Sequence, residues 1–400
     1  MDKLPKEWNI KHLGELCKLE NGDRGKNYPS QSSFVSNGIP FINAGNLDNF
    51  SISDIGLNFI SEEHFRRLSN GKFVKGDILF CLRGSLGKFA IVETEAMGAI
   101  ASSLVIIRPH SELNLGFLKA YLQSGLCADM IRTYDNGSAQ PNLAAASLKK
   151  FQIPLPPLPE QTRIVNKLDS LFERIDKSIA LLEENIKHTE ALMASVLDEV
   201  FGNGDTRIGD LCTIGPKKSE IKDLGDLEVS FLPMTDLKEH QINFEPKQTK
   251  RISEVYTGYT YFNDNDVLLA KVTPCFENGK AAIAQNLING IGFGSSEYHV
   301  LRPNNNTLPE WIYYSVMTAT FREEGVNNMT GSSGLKRVPP AFVANWKIKN
   351  PPINEQLKII DKIKSTDAKL SKLITEQQSK LNYLKALKAS LLDKAFKGEL

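Results

Sequence analysis

The stretch "PPLPEQTRI" begins at Pro156, and "PPINEQLKI" begins at Pro351, 195 residues further on. Aligned without a gap from these points to Phe201 and Phe396, about 16 of roughly 46 positions are identical, and self-similarity at a fixed period is a strong constraint on fold. The matches include Glu160/Glu355, Gln161/Gln356, Ile164/Ile359 and Lys167/Lys362, and "ALMASVLDEVF" faces "ALKASLLDKAF". The offset recurs upstream, where "LGELC" from Leu13 faces "IGDLC" from Ile208. Between these anchors the copies diverge on a common skeleton. "KGDILFCLRGSLGKFAIV" resembles "DNDVLLAKVTPCFENGKAAIA", "ASSLVIIRP" resembles "GSSEYHVLRP", and "NGSAQPNL" resembles "TGSSGLKRV". The chain is therefore a variable module and a long segment, written twice.

The modules read as mixed α/β. "DILFCL", "FAIVE" and "SLVIIRP" in the first, and "DVLLAKV", "AAIAQ" and "YHVLRP" in the second, are short apolar and β-branched runs punctuated by Gly, Asn and Pro. The segments after each Pro-Pro carry apolar residues in steps of three and four. The first stripe runs through Leu168, Leu171, Ile175, Ile179, Leu182, Ile186, Leu192, Val196 and Val200. The second runs through Ile363, Leu370, Leu373, Ile374, Leu381, Leu384, Leu387 and Leu391. Pro159 suits a first helical turn and Asn354 an N-cap. A helix of about 40 residues spans about 60 Å and is not stable on one stripe, so each needs a partner. The other copy, in an antiparallel coiled coil, is the expected one. The expected fold is α+β, with two mixed α/β domains separated by two long antiparallel helices and internal pseudo-two-fold symmetry. The expected boundaries are 1–155, 156–204, 205–350 and 351–400.

Composition excludes several classes. "MDKLPKEWNI" has no apolar core of a secretory signal, and no apolar run approaches the ~18 residues of a membrane span. Cysteines 17, 81, 127, 212 and 275 form no CxxC pair and read as reduced thiols of a cytoplasmic protein without membrane contact. The formal net charge is +1. The first module is near +2 and the second near −1, so charge alone does not point to nucleic acid, and partners must neutralise most phosphates if DNA is bound.

The sequence offers no catalytic or metal motif. "NPPI" from Asn350 has the outline of an amino-methyltransferase motif, but Ile353 stands where the aromatic belongs and no glycine-rich cofactor loop precedes it. "GSLGKF" from Gly84 has the wrong spacing for a phosphate loop. The six histidines are scattered, and the acidic residues suggest no nuclease constellation.

The order module, "PLPPLPEQ", helix, module, "PPINEQ", helix resembles the DNA specificity subunit of type I restriction–modification systems over the whole chain, with "KGDIL…GSLGK" and "NGSAQPNL" as further carriers of the likeness. Two departures lie in the second copy, Asn354 in place of Pro159 and Gly334 in place of Gln140. The resemblance implies two target recognition domains that each read half of a split double-stranded DNA site. It implies helices that separate them and dock two modification (methyltransferase) subunits, with restriction/translocase subunits completing the assembly. It implies no catalysis and no cofactor in this chain, with S-adenosylmethionine, ATP and Mg on the partner subunits. The alternative reading is a tandem coiled-coil adaptor that binds two identical protein partners without DNA readout.

Base edges and phosphates are read by Arg, Lys, Asn, Gln, Ser and Thr. In the first module the candidates are Arg24, Lys26, Asn43, Arg83, Ser85, Lys88, Asn136, Ser138 and Gln140, several beside glycines that permit close backbone approach. In the second they are Lys217, Lys218, Thr235, Lys271, Thr273, Lys280, Ser332, Ser333, Lys336 and Arg337. The competing reading of each is an ordinary solvated loop residue.

Overall fold

A computed structural model describes residues 4–95, 97–137, 140–202, 204–244, 246–332 and 334–400. The chain divides into two compact units, one of residues 1–181 and 380–400, the other of residues 182–379. Two long helices, Leu158–Phe201 and Ile353–Lys397, each contribute one part to either unit. Among the described residues no helix is long and apolar enough to cross a membrane.

In unit 1 a four-stranded antiparallel sheet takes the order Phe89–Ile91, Ile78–Cys81, Leu104–Pro109, Cys17–Asn21. Ile78–Cys81 is buried along its whole length, as the unbroken apolar run "ILFC" requires of a strand covered on both faces. A second sheet pairs Ile39–Ile42 in parallel with Gly98–Ile100, flanked by Asn58–Ile60 and Phe34–Val35 on one side and Lys72–Phe73 on the other. Helices Leu115–Gln123 and Gly125–Tyr134 are capped by Asn114 and Ser124.

Unit 2 repeats this plan. Its first sheet runs Ala281–Ile283, Val267–Ala270, Tyr298–Pro303, Cys212–Ile214. Its second pairs Glu228–Leu232 in parallel with Ile291–Gly294, with Gln248–Arg251 and Thr260–Asn263 outside. Pro309–Val316 and Ala319–Asn327 replace the helix pair. Each unit also closes its module with a two-stranded pairing, Asn9–His12 with Gln152–Leu155 and Thr206–Arg207 with Lys347–Ile348.

The repeated Pro-Pro-x-x-Glu-Gln segment is explained by its glutamine. Gln161 is buried, and its Nε2 donates to the carbonyls of Glu112 (3.0 Å) and Pro156 (2.9 Å) while its Oε1 accepts from Asn114 N (2.8 Å). Gln356, also buried, donates to Asn306 O (3.2 Å), Pro351 O (2.8 Å) and Asn350 Oδ1 (3.3 Å) and accepts from Leu308 N (3.0 Å). Each glutamine ties the start of a long helix to the loop that opens the module's own helix pair. Asn350 of "NPPI" is thus part of a structural clamp. Gln161→Leu keeps the volume but strands three backbone groups, the buried Pro156 O and the part-buried Glu112 O and Asn114 N, and a buried group left unpaired costs about 1–3 kcal/mol. The expected result is a fall in denaturant midpoint with an unchanged slope, and Gln356→Leu should behave alike.

The far ends of the helices dock in a matching way. In unit 1 Leu392, Ala395 and Phe396 share a core with Ile164, Leu168, Phe117 and Tyr121, so the two helix segments run antiparallel. Asp393 accepts from Gly125 N (3.3 Å), and Lys388 reaches Asp176 at 2.7 Å. In unit 2 Leu197 and Phe201 share a core with Ile360, Ile363 and Trp311, again antiparallel, and Asp198 accepts from Thr320 N (3.1 Å) and Oγ1 (2.8 Å). The expected stripe needs one correction. Leu192 and Leu373 are exposed, and Leu197, Phe201, Leu392 and Phe396, which the periodicity passed over, are the buried anchors.

A second repeated device fixes each sheet. Arg108 donates to both oxygens of buried Asp77 at 2.7 Å, and Arg302 does the same to buried Asp266 at 2.8 and 2.7 Å. Asp77 also accepts from Val74 N and Asp266 from Asn263 N. The Asp of "KGDIL" and the Arg of "IIRP" are therefore one structural pair.

Candidate nucleic-acid interface

The strand registers place one set of loops at a single edge of unit 1. Ile42 lies beside Ile100 where their parallel strands end, Leu104 starts opposite the terminal Cys81, and Asn21 ends its strand opposite Val105. Backbone bonds then lace the loops together. Ala101 N donates to Ile42 O (2.8 Å), Leu82 N to Ser103 O (2.9 Å), Gly84 N to Pro141 O (3.0 Å) and Leu143 N to Leu82 O (2.8 Å). The segments around Arg24, Asn43, Arg83 and Gln140, up to 116 residues apart in the chain, thus meet at one surface.

Arg24 and Lys26 are exposed, and Arg24 Nη2 donates to Ser102 O (3.3 Å). Buried Asp23 shapes this turn by accepting from Gly25 N and Ser69 N, and these amide donors hold its carboxyl below the usual range. Asn43 is half-buried, and its side chain accepts from Gly45 N (2.7 Å), so it caps its own loop. Arg83 and Ser85 are exposed at the tip between Ile78–Cys81 and Phe89–Ile91, and half-buried Lys88 closes that tip through its backbone. Gly84 has φ +80°, which lets the tip turn back against Pro141. Asn136 and Gln140 are exposed on a loop that Asp135 gathers by accepting from Gly137 N and Asn142 N, both at 3.0 Å. Those two N–H groups lower the Asp135 carboxyl below its ordinary value. Ser138 lies outside the described residues.

Unit 2 builds the corresponding edge on the same backbone frame. Val338 N donates to Lys271 O (2.8 Å) as Leu143 N does to Leu82 O, and Thr273 N donates to Lys336 O (3.1 Å) as Gly84 N does to Pro141 O. The isolated bridge Arg83–Asn142 has its counterpart in Val272–Arg337. Lys336 and Arg337 therefore stand where Pro141 and Asn142 stand in unit 1. The second loop carries one more residue, so the expected match of Gly334 with Gln140 shifts by one.

The side chains differ between the edges. Ser332 and Lys336 are exposed, on a hairpin of Thr330–Ser332 with Leu335–Arg337, and Lys217 and Thr235 are exposed. Lys271 is half-buried, and its N–H donates to Glu297 O. Thr273 Oγ1 donates to Lys336 O at 3.3 Å, and Lys280 Nζ donates to Met234 O at 3.4 Å. Two candidates are taken up by the fold. Lys218 Nζ donates to Tyr256 O (2.6 Å) under the Tyr256 and Phe293 rings, and burial lowers its pKa. Arg337 makes a two-pronged pair with Glu297, 2.8 Å on each prong, which holds the Glu297 carboxyl below its usual range. Ser333 lies outside the described residues. The sequence reading missed Asn142, Glu297 and the half-exposed Leu335, because their places follow from long-range pairing that no local spacing reports.

Burial pushes the thiols of Cys17, Cys127 and Cys212 up to about 12 and raises that of Cys81. Cys275, beside the unit 2 edge, is only partly buried.

Residues 5–187 and 203–383 each match the family described as type I restriction modification DNA specificity domain. The chain is 39% identical over 154 residues to the type I restriction enzyme EcoEI specificity subunit of Escherichia coli, an alignment covering 38% of this chain and 26% of that subunit. The chain thus spans about a quarter of that relative's length. It is 23% identical over 433 residues to the type I restriction enzyme StySPI specificity subunit of Salmonella potsdam, covering 100% of this chain and 90% of the relative. A chain from a structural study of complex assembly and conformational transition of the type I R-M system superposes with a TM-score of 0.78 at 22% identity, with all of both chains covered, and so shares the fold. With both halves matched, the chain belongs to the type I restriction–modification DNA specificity family.

Proposed function

We propose that the chain is the non-catalytic DNA specificity subunit of a cytoplasmic type I restriction–modification complex, and that it recognises a bipartite, asymmetric double-stranded site. Residues 1–155 and 205–350 act as the two target recognition domains, each reading one half-site with the loop edge described above. The single observation that carries this reading is the pair of edges, built on one backbone frame and furnished with different polar side chains. A reader of two unlike sequences needs that combination, since backbone and phosphate contacts position while side chains on base edges specify. Arg83, Ser85, Asn136 and Gln140 furnish the first edge, and Ser332, Thr273, Lys271 and Lys336 the second.

The long helices separate the two readers and dock two modification subunits, which bring S-adenosylmethionine, while restriction/translocase subunits bring ATP and Mg. A net charge of +1 suits a chain whose partners close around the DNA and supply most phosphate contacts.

Arg83→Ala and Lys336→Ala test the reading. Both side chains are exposed and lie off the long helices proposed to dock the modification subunits, so fold and assembly should be unchanged. Loss of a base contact should weaken specific binding by about 1–3 kcal/mol and relax one position of the site, whereas loss of a phosphate contact weakens all sequences alike and lowers the salt slope. Titrations of the reconstituted complex at several salt concentrations separate these outcomes. Unchanged DNA binding by both variants, with partner docking intact, would favour an adaptor without DNA readout.

A further inference from the structure

The hairpin of unit 2 stands clear of its sheets. Thr330, Gly331, Ser332, Gly334, Leu335 and Lys336 are all exposed, and the chain turns inward only at Arg337 and Val338. A two-stranded ribbon is marginal in water without support. The support here is at the base. Lys336 O accepts from Thr273 N and Oγ1, Val338 N donates to Lys271 O, and His299 Nε2 donates to Val338 O at 2.8 Å. Arg337 is pinned by both oxygens of Glu297. A naked ribbon is thus held rigidly at the same edge as the other candidate contacts.

Its side chains are unusual for a solvated loop. The register sets Ser332 opposite Leu335 and Gly331 opposite Lys336. Leu335 is 50% exposed, an apolar group flanked by Gly334 and Lys336. The major groove of B-DNA admits a two-stranded β-ribbon, and the apolar group that it presents is the thymine 5-methyl. We propose that this hairpin is the major-groove reading element of unit 2 and that Leu335 sets specificity by packing against a thymine methyl. The inference rests on the DNA-reading role proposed above. Arg337 is then a positioning residue, and Glu297 its anchor.

The test uses the full chain assembled with its modification subunits, on a duplex carrying the site found by methylation mapping. Each thymine of the half-site read by unit 2 is replaced in turn by deoxyuridine, which removes only the methyl. Binding is measured for the wild type and for Leu335→Ala, whose melting temperature should match the wild type because the side chain packs on no core. At one position deoxyuridine should weaken wild-type binding about three- to tenfold, the scale of one buried methyl. Leu335→Ala should show a similar loss on the thymine duplex and no further loss on that deoxyuridine duplex. Deoxyuridine in the other half-site should affect both proteins equally. Losses that multiply at every thymine, no deoxyuridine effect, or a half-site without thymine would overturn the proposal while leaving the DNA-reading role standing. Failure of both proteins to distinguish the site from a scrambled duplex would instead remove that role.

Discussion

A chain ending at Gly204 should form a dimer and, with modification subunits, methylate a perfect inverted repeat of the first half-site. Truncation removes residues 380–400 from unit 1. It takes away Phe396, whose ring lies 4.9 Å from Phe117 and 5.7 Å from Tyr121, and the Asp393 cap on Gly125 N. The half-chain keeps equivalents of both at an offset of 195 residues. Phe201 packs at 4.6 Å from Trp311 and 5.7 Å from Tyr314 in unit 2, and Asp198 caps Thr320 there. Leu197 repeats Leu392. Residues 182–201 of a second copy can therefore seat on unit 1 and receive the same segment in return, which is a closed two-fold interface. Sedimentation at micromolar concentration should give twice the half-chain mass. A strictly monomeric half-chain, or a dimer that still methylates the asymmetric native site, would contradict the account.

Arg108→Met should unfold the protein earlier by about 3 kcal/mol, the lower end of the range for breaking a buried ion pair, because a third of the Arg108 side chain is exposed. The loss arises from Asp77, whose fully buried carboxylate loses both guanidinium donors and keeps the bond from Val74 N. The double variant Asp77→Leu with Arg108→Met should recover most of the loss, since an apolar pair of similar volume is often neutral in place of a buried ion pair. Denaturant melts of the three proteins decide it, and a double variant less stable than Arg108→Met alone would show that the pair does more than satisfy charge.

The duplication, the mixed α/β modules and the two long helices are legible in the sequence because periodicity and self-similarity are local or register directly against each other. Four kinds of information were not. The apolar stripes include Leu192 and Leu373, which are exposed, because helices of 44 and 45 residues drift in which face they bury as their packing partners change. "KGDIL" reads as a signature of the family, yet its Asp serves the sheet, a role visible only once Arg108 is folded beside it. Arg337 has the composition of a base reader, but Glu297, 40 residues upstream, claims its guanidinium. The alignment of Gly334 with Gln140 misses the extra residue that lets the second edge form a hairpin where the first forms an Asp135-centred loop. In each case the deciding partner is distant in sequence and close in space.

The most direct test of the central claim is methylation mapping of DNA from cells that carry this chain with its modification subunits, compared with the same cells lacking the chain. The account predicts adenine methylation at one split motif, with two unlike half-sites flanking a spacer of fixed length and indifferent sequence, present only with the chain. A contiguous motif, two identical half-sites, or methylation that does not depend on the chain would contradict it.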